Sequence, residues 1–222
     1  MAFSLFETIR TMNLPAPTGV LQVGASYGQE MADFLHNGIQ CGVFIEPLPE
    51  PFAHLAGMCK QVPNFVAVNT LCTDVPGTTH RFHVASNGGM SSSILKPAHH
   101  LEVNDYVSFP TTVDIVSSTV DQVVDFLNQN GYGHVTPKLD LLYMDTQGAE
   151  FRILQGANKT LRGVKYIFTE VMRANLYEGQ VPFLTYCAYL EAIGFTLNNL
   201  YFNPGHAGDA LFIRKDLWSD PL

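Results

Sequence analysis

The residues of this chain best suited to cofactor chemistry sit at the ends of two apolar runs. VLQVGASYGQE, Val20 to Glu30, breaks into a turn at Gly24, and CGVFIEP, Cys41 to Pro47, ends in an acid. A strand, a glycine turn and a helix, followed roughly 20 residues on by a second strand ending in an acid, is how a nucleotide-like cofactor is commonly held. Gly24, Ala25 and Gly28, with Ser26 between them, let the backbone pass close to a ligand. Glu46, followed by Pro47, offers two carboxylate oxygens to a ribose diol. Asn69 and Leu71 follow the next apolar run, where an adenine edge and face would lie; Asn69 is equally a turn residue.

Two further acids close later apolar runs. Asp145 ends Leu139 to Met144, and Glu170 lies at the end of Val164 to Val171. In open α/β folds ligands bind at the carboxyl ends of the strands, so both are candidates to move or orient a proton, and Asp145 is also a candidate to bind the cofactor. Asp145 could instead cap the following helix, and Glu170 could be a structural acid paired with Arg173. Glu150 reads as a first-turn acid favoured by the helix dipole, and His206, in the loop NPGHAGD, is an alternative base.

The elements that must position these groups alternate strand and helix. Phe3, Phe6, Ile9 and Met12 recur at helical spacing and predict a covering helix within residues 1–18. Then come a strand at Val20 to Gly24, a helix at Gln29 to His36, a strand at Gly42 to Ile45, a helix at Pro51 to Lys60 and a strand at Phe65 to Asn69. Residues 73–110 read as an irregular insertion beside the site, with one short strand at Arg81 to Ala85. Val113 to Val116 looks extended; Val120, Val123, Val124 and Leu127 are helically spaced; a helix runs from Ala149 to Leu161 and another from Phe183 to Ile193. The closing runs, Phe195 to Phe202 and Ala210 to Arg214, form a hairpin that adds one antiparallel strand to an otherwise parallel sheet, an ending seldom found in nicotinamide-binding domains.

Composition narrows the partners. The chain has 222 residues, is 46% hydrophobic, and can bury a core as one main domain over residues 19–222. A formal charge of −8 opposes attraction to nucleic acid or anionic lipid. No apolar run reaches the roughly 18 residues of a membrane span, and no leader pattern opens the chain. Cys41, Cys59, Cys72 and Cys187 form no C-x-x-C pair, which suits a reduced, cytoplasmic setting. His80 and His83 fall on opposite faces of a strand, as His99 and His100 would if extended, so no zinc site is assigned. Asp145, Glu150 and Glu170 are of the type that suits magnesium, but no metal is assigned to them. Tyr177, Tyr186 and Tyr201 would either stack on a substrate or pack.

Read together, VGASYGQE at Gly24, FIEPLPEPF at Glu46, AVNTLCTD at Asn69, MSSSIL at Ser92, LLYMDTQGAEFRILQGA from Leu141, VKYIFTEV and GDALFIRK occur in the order of a known family. Over roughly Gly19 to Lys215 the chain resembles the FkbM family of S-adenosylmethionine-dependent methyltransferases. The resemblance implies a class I methyltransferase fold, α/β and Rossmann-like, with a seven-stranded, mostly parallel sheet and helices on both faces. It also implies S-adenosylmethionine (SAM) as cofactor, with Ser92 at its site, and a small-molecule acceptor whose hydroxyl takes the methyl group, of sugar or polyketide type. Methyl transfer from a sulfonium needs in-line placement of the acceptor and a base, for which Asp145 leads and Glu170 follows. The chain departs from the family pattern at Gln22, where Asp is common, at Ser26, where Asn is usual, and at Gln147, where D-x-E-G-x-E reads DTQGAE. Two other readings stay open. One is a SAM-binding module without catalysis. The other is a nicotinamide oxidoreductase, against which Ser26 stands at the second glycine position of G-x-G-x-x-G.

Overall fold

A computed structural model describes residues 3–217. Its centre is a sheet of strands β1 (Gly19–Val23), β2 (Cys41–Ile45), β3 (Phe65–Val68), β7 (Leu141–Met144), β8 (Tyr166–Met172), β9 (Phe195–Phe202) and β10 (Ala207–Arg214), in the spatial order β3-β2-β1-β7-β8-β10-β9. The pairs β3–β2, β2–β1, β1–β7 and β7–β8 are parallel, and β10 runs antiparallel to both β8 and β9. The expected sheet with its single reversed strand is therefore present.

Helices cover both faces, which is why the inner strands are nearly continuous apolar runs. On one face lie α1 (Leu5–Thr11), α2 (Met31–His36) and α3 (Pro49–Cys59), burying Phe6, Ile9, Phe34 and Leu55 against Val20, Phe44, Leu141 and Tyr166. On the other lie α5 (Val120–Leu127), α6 (Glu150–Gln155) and α7 (Phe183–Ala192), which pack Val123, Ile153 and Leu190 onto Leu21, Val43, Leu142 and Ile167. Every residue of β1 is buried, yet one of them is Gln22.

The structure corrects several boundaries. The helix expected from Ala149 to Leu161 stops after Gln155, because Gly156 passes against the Thr73 carbonyl where a Cβ would collide, and one 3-10 turn resumes at Thr160. The turn before α2 takes Gln29 and Glu30 out of the helix, and Asn69 lies beyond β3. The stretch 73–110 is more regular than expected. It contributes β5 (Thr79–Val84), which pairs antiparallel with the long β6 (Thr111–Ser118), while β4 (Leu71–Cys72) pairs parallel with β6 on its other side. A short helix α4 (His100–Val103) follows the loop after β5. Leu48, Leu71 and Phe82, with Ile94 and Ile115 against them, join this small sheet to the main one.

Candidate active site

At the carboxyl ends of β1, β2 and β7, between the main sheet and the small one, lies a cleft with about 940 Å³ of empty volume open to solvent. Its floor is Gly24, Glu30, Glu46, Asp145 and Thr146, and an apolar wall is formed by Leu48, Leu71, Phe82 and Ile94. Gly24 makes the floor possible. It takes φ +79°, its N–H donates to the Ile45 carbonyl at 3.0 Å, and a Cβ there would collide with the carbonyl of Asp145. The turn thus lets β1, β2 and β7 end side by side beneath one ligand.

Glu46 is 5% exposed and pins both sides of the cleft. Its Oε2 accepts the Ser26 N–H and its Oε1 the Leu48 N–H, each at 2.8 Å. Burial pushes its carboxyl up to about 7, against the lowering effect of those two N–H donors. Each oxygen keeps a further lone pair for a hydroxyl.

Of the other residues read as cofactor-binding, Ser26, Pro47, Leu71 and Ser92 also line the cleft. Ala25 is wholly buried under the turn, and Gly28 faces the side chains of Leu55 and Met58, so these two shape the loop from behind. Asn69 is not in the wall either. Its amide donates to the carbonyls of Glu46 at 2.8 Å and Pro47 at 3.1 Å, so its short polar side chain secures the bend that aims Glu46. Thr70 takes its place in the wall.

Asp145 is exposed to the cleft at the end of β7. Partial desolvation by the surrounding walls raises its carboxyl, against a hydrogen bond from Gln147, and the charges of Glu30 and Asp209 act in the same direction. It does not cap α6, whose N-cap is Ala149. Glu170 lies outside the cleft wall and faces a smaller adjoining cavity with Glu150, Phe151 and Tyr186. Burial holds its carboxyl well above the usual range, and Asp145 and Glu150 add to the shift. The side chain of Gln147 joins the two acids: Nε2 donates to Asp145 Oδ1 and Glu170 Oε2, both at 2.8 Å. Glu170 therefore does not pair with Arg173, whose guanidinium reaches His206 Nδ1 at 3.1 Å and occupies that candidate base.

Glu150 is more than a first-turn acid. It is 6% exposed, and its Oε1 accepts from the Thr146 N–H at 2.8 Å, the Thr146 hydroxyl at 2.9 Å and the Gly148 N–H at 3.3 Å, which fixes the loop carrying Gln147. Tyr177 and Tyr186 are buried packing residues rather than stacking platforms, and Tyr201 is half-buried on β9. Among the described residues no group of three or more His, Cys, Asp or Glu converges on a point.

Sequence reasoning passed over Glu30. It lines the cleft, and Gln22, 1% exposed, donates from Nε2 to Glu30 Oε2 at 2.8 Å, leaving Gln22 Oε1 buried without a partner. The signal was one polar residue inside an otherwise apolar strand. An orphaned acceptor beside a cleft carboxylate, the two-oxygen acceptor Glu46 and the apolar wall suit the ammonium, ribose and adenine parts of SAM. The fold and the chemistry of these acceptors define a class I methyltransferase.

Comparison with known proteins agrees. The sequence model described as the methyltransferase FkbM domain matches residues 22–197, so the chain belongs to the FkbM methyltransferase family, whose members use S-adenosylmethionine. The 2-O-methyltransferase NoeI of Sinorhizobium fredii (strain NBRC 101917 / NGR234) is 26% identical over 183 residues, which is 79% of this chain and 72% of that protein. An FkbM methyltransferase from Methylobacillus flagellatus KT superposes with a TM-score of 0.56 at 14% identity. The alignment covers 96% of this chain, which spans about half (48%) of that protein. M. capricolum TrmK, solved with S-adenosyl-homocysteine, superposes over 100% of this chain and 73% of its own at a TM-score of 0.51 and 8% identity. These two structures bear on the fold. No described helix is long and apolar enough to cross a membrane.

Proposed function

We infer that this methyltransferase moves the methyl group of SAM to a hydroxyl of a small polyhydroxylated molecule, a sugar or a polyketide-type natural product. The observation that carries the reading is the pairing, through one amide, of Asp145 on the cleft with Glu170 in the adjoining cavity. SAM supplies an electrophilic methyl group on a positive sulfonium.

The chain's residues do the rest. Glu46 and the turn at Gly24 fix the cofactor's place, and Leu71 and Phe82 exclude water from an aromatic base. Asp145, with a carboxyl raised towards neutrality, accepts the proton of an acceptor hydroxyl. Glu170 holds a second hydroxyl of the same molecule. Carboxyl groups are good partners for vicinal hydroxyls, whereas the acidic surroundings that include Glu30 and Asp209 repel polyanions, as does the net charge of −8. The activity for which NoeI is named, 2-O-methylation, supports a hydroxyl as acceptor.

The reading is tested by incubating the protein with labelled SAM and a panel of monosaccharides, oligosaccharides, hydroxylated polyketides, amines and transfer RNA transcripts. Methyl ether formation on the sugar or polyketide members is expected. Methylation confined to amines or RNA would refute it.

A further inference from the structure

Gln147 stands between two carboxyl groups that, among the described residues, have no cation beside them. Its Nε2 carries two hydrogens and gives one to Asp145 and one to Glu170. Its Oε1 faces the Tyr177 hydroxyl at 2.9 Å, and the Ser93 hydroxyl donates to its backbone carbonyl at 2.9 Å. The residue has φ +56°. A residue with a side chain is disfavoured there, so the tertiary hydrogen bonds, not local preference, hold it in place.

The charged and titratable groups facing the two acids are Glu30 before α2, Tyr143 on β7, Glu150 on α6, Asp209 on β10 and Tyr177. All are acids or phenols. Among the described residues the ion pairs of Lys96, Lys159, Lys165 and Lys215 involve other carboxylates. Two carboxyl groups fixed to one amide, with further acids around them, cannot both ionise at ordinary cost; a shared proton is the simplest way to neutralise one of them.

We propose that Gln147 is a positioning residue that clamps Asp145 and Glu170 into a pair holding one proton, and that the pair gives this proton up when the positive sulfonium is bound. It takes a proton back from the acceptor hydroxyl as the oxygen–carbon bond forms and the carbon–sulfur bond breaks. The balance closes: the one proton that methylation of an alcohol liberates leaves at cofactor binding, and the electron pair of the broken bond stays on the sulfur of neutral S-adenosylhomocysteine (SAH). The full base is thus formed only when a methyl group is loaded. The inference rests on the reading of Asp145 as the base.

Proton linkage tests it without an acceptor. Calorimetric titration with SAM and with SAH at pH 7, in buffers of different ionisation enthalpy, counts the protons released by each ligand. Both ligands carry the same ribose and adenine groups, and the sulfonium makes the ammonium of free SAM more acidic than that of SAH, so on the ligand's own account SAM takes up protons on binding as an ammonium; an excess release therefore reports the protein. Wild type is expected to release about 0.5–1 proton more with SAM than with SAH. Glu170→Gln, which keeps the shape and removes the proton site, should abolish the difference, and Gln147→Ala should cut it at least twofold. Equal counts for the two ligands in wild type, or an excess that survives in Glu170→Gln, would overturn the pair; an excess unchanged in Gln147→Ala would overturn the clamp. An error about the acceptor class would alter turnover and leave these counts untouched.

Discussion

Replacing Glu46 by Gln probes the floor of the cleft with the least change in shape. The carboxylate accepts one backbone N–H on each oxygen, from Ser26 and from Leu48, at 2.8 Å. Glutamine keeps one oxygen and turns its NH2 towards the other N–H, so one donor at the cleft floor meets a donor instead of an acceptor. A buried donor left unpaired costs about 1–3 kcal/mol, and a hydrogen bond to a charged group is worth about 1.5–3 kcal/mol. Assigning about 2 kcal/mol of this to the bound state predicts a SAM affinity lower by about 30-fold, at 1.4 kcal/mol per tenfold.

The size of the effect must depend on pH. Burial holds the Glu46 carboxyl at about 7, so wild type itself carries a largely protonated carboxyl at pH 6 and an ionised one at pH 8. The affinity ratio of wild type to Glu46→Gln, measured by isothermal titration calorimetry, is therefore expected to be large at pH 8 and several-fold smaller at pH 6. A ratio below threefold at pH 8, or the same ratio at both pH values, would refute the assignment of Glu46 to the cofactor.

Glu150→Gln should flatten the dependence of stability on pH. Burial raises the Glu150 carboxyl to about 7, so the folded protein binds that proton more tightly than the unfolded chain does, and the stabilisation is full below the ordinary value of about 4.3 and lost as pH climbs to about 7. The variant keeps an oxygen for the Thr146 and Gly148 donors, so its melting temperature should fall less than that of wild type between pH 5 and pH 8; equal falls by calorimetry would contradict the argument. Gly24→Ala combines a left-handed φ of +79° with a collision at the Asp145 carbonyl and is expected to abolish SAM binding. Strain of about 1–3 kcal/mol corresponds to a melting temperature lower by roughly 2–10 °C, and a variant that melts and binds like wild type would show that the turn is not built this way.

Much of the fold was legible because its helices and strands follow hydrophobic period. The apolar runs at Val20, Gly42 and Leu141 are buried on both faces and could be little other than inner strands, and the Asn203-to-Asp209 turn announced the reversed β10. Glu46 and Asp145 were legible as acids that end such runs. The layout of 73–110 was not, because β5 finds its partner about thirty residues later in β6, and a pairing at that separation leaves no local trace. The part played by Gln147 was equally hidden. Its type says only that a Glu is missing, whereas its two donated hydrogen bonds depend on β7 and β8 ending side by side. Asn69 shows the converse: the right residue near the right strand, with an amide spent on the backbone of Glu46 and Pro47.

The most direct test of the account follows the methyl group itself. With SAM carrying a carbon-13 methyl group and an acceptor from the hydroxylated panel, wild type should yield a methyl ether by nuclear magnetic resonance. Asp145→Asn should still bind SAM, within about tenfold of wild type once the ionised pair is lost, and transfer the methyl group about 10²–10⁴ times more slowly, the contribution expected of a general base. Methyl transfer by Asp145→Asn at the wild-type rate, or a label found on nitrogen instead of oxygen, would contradict it.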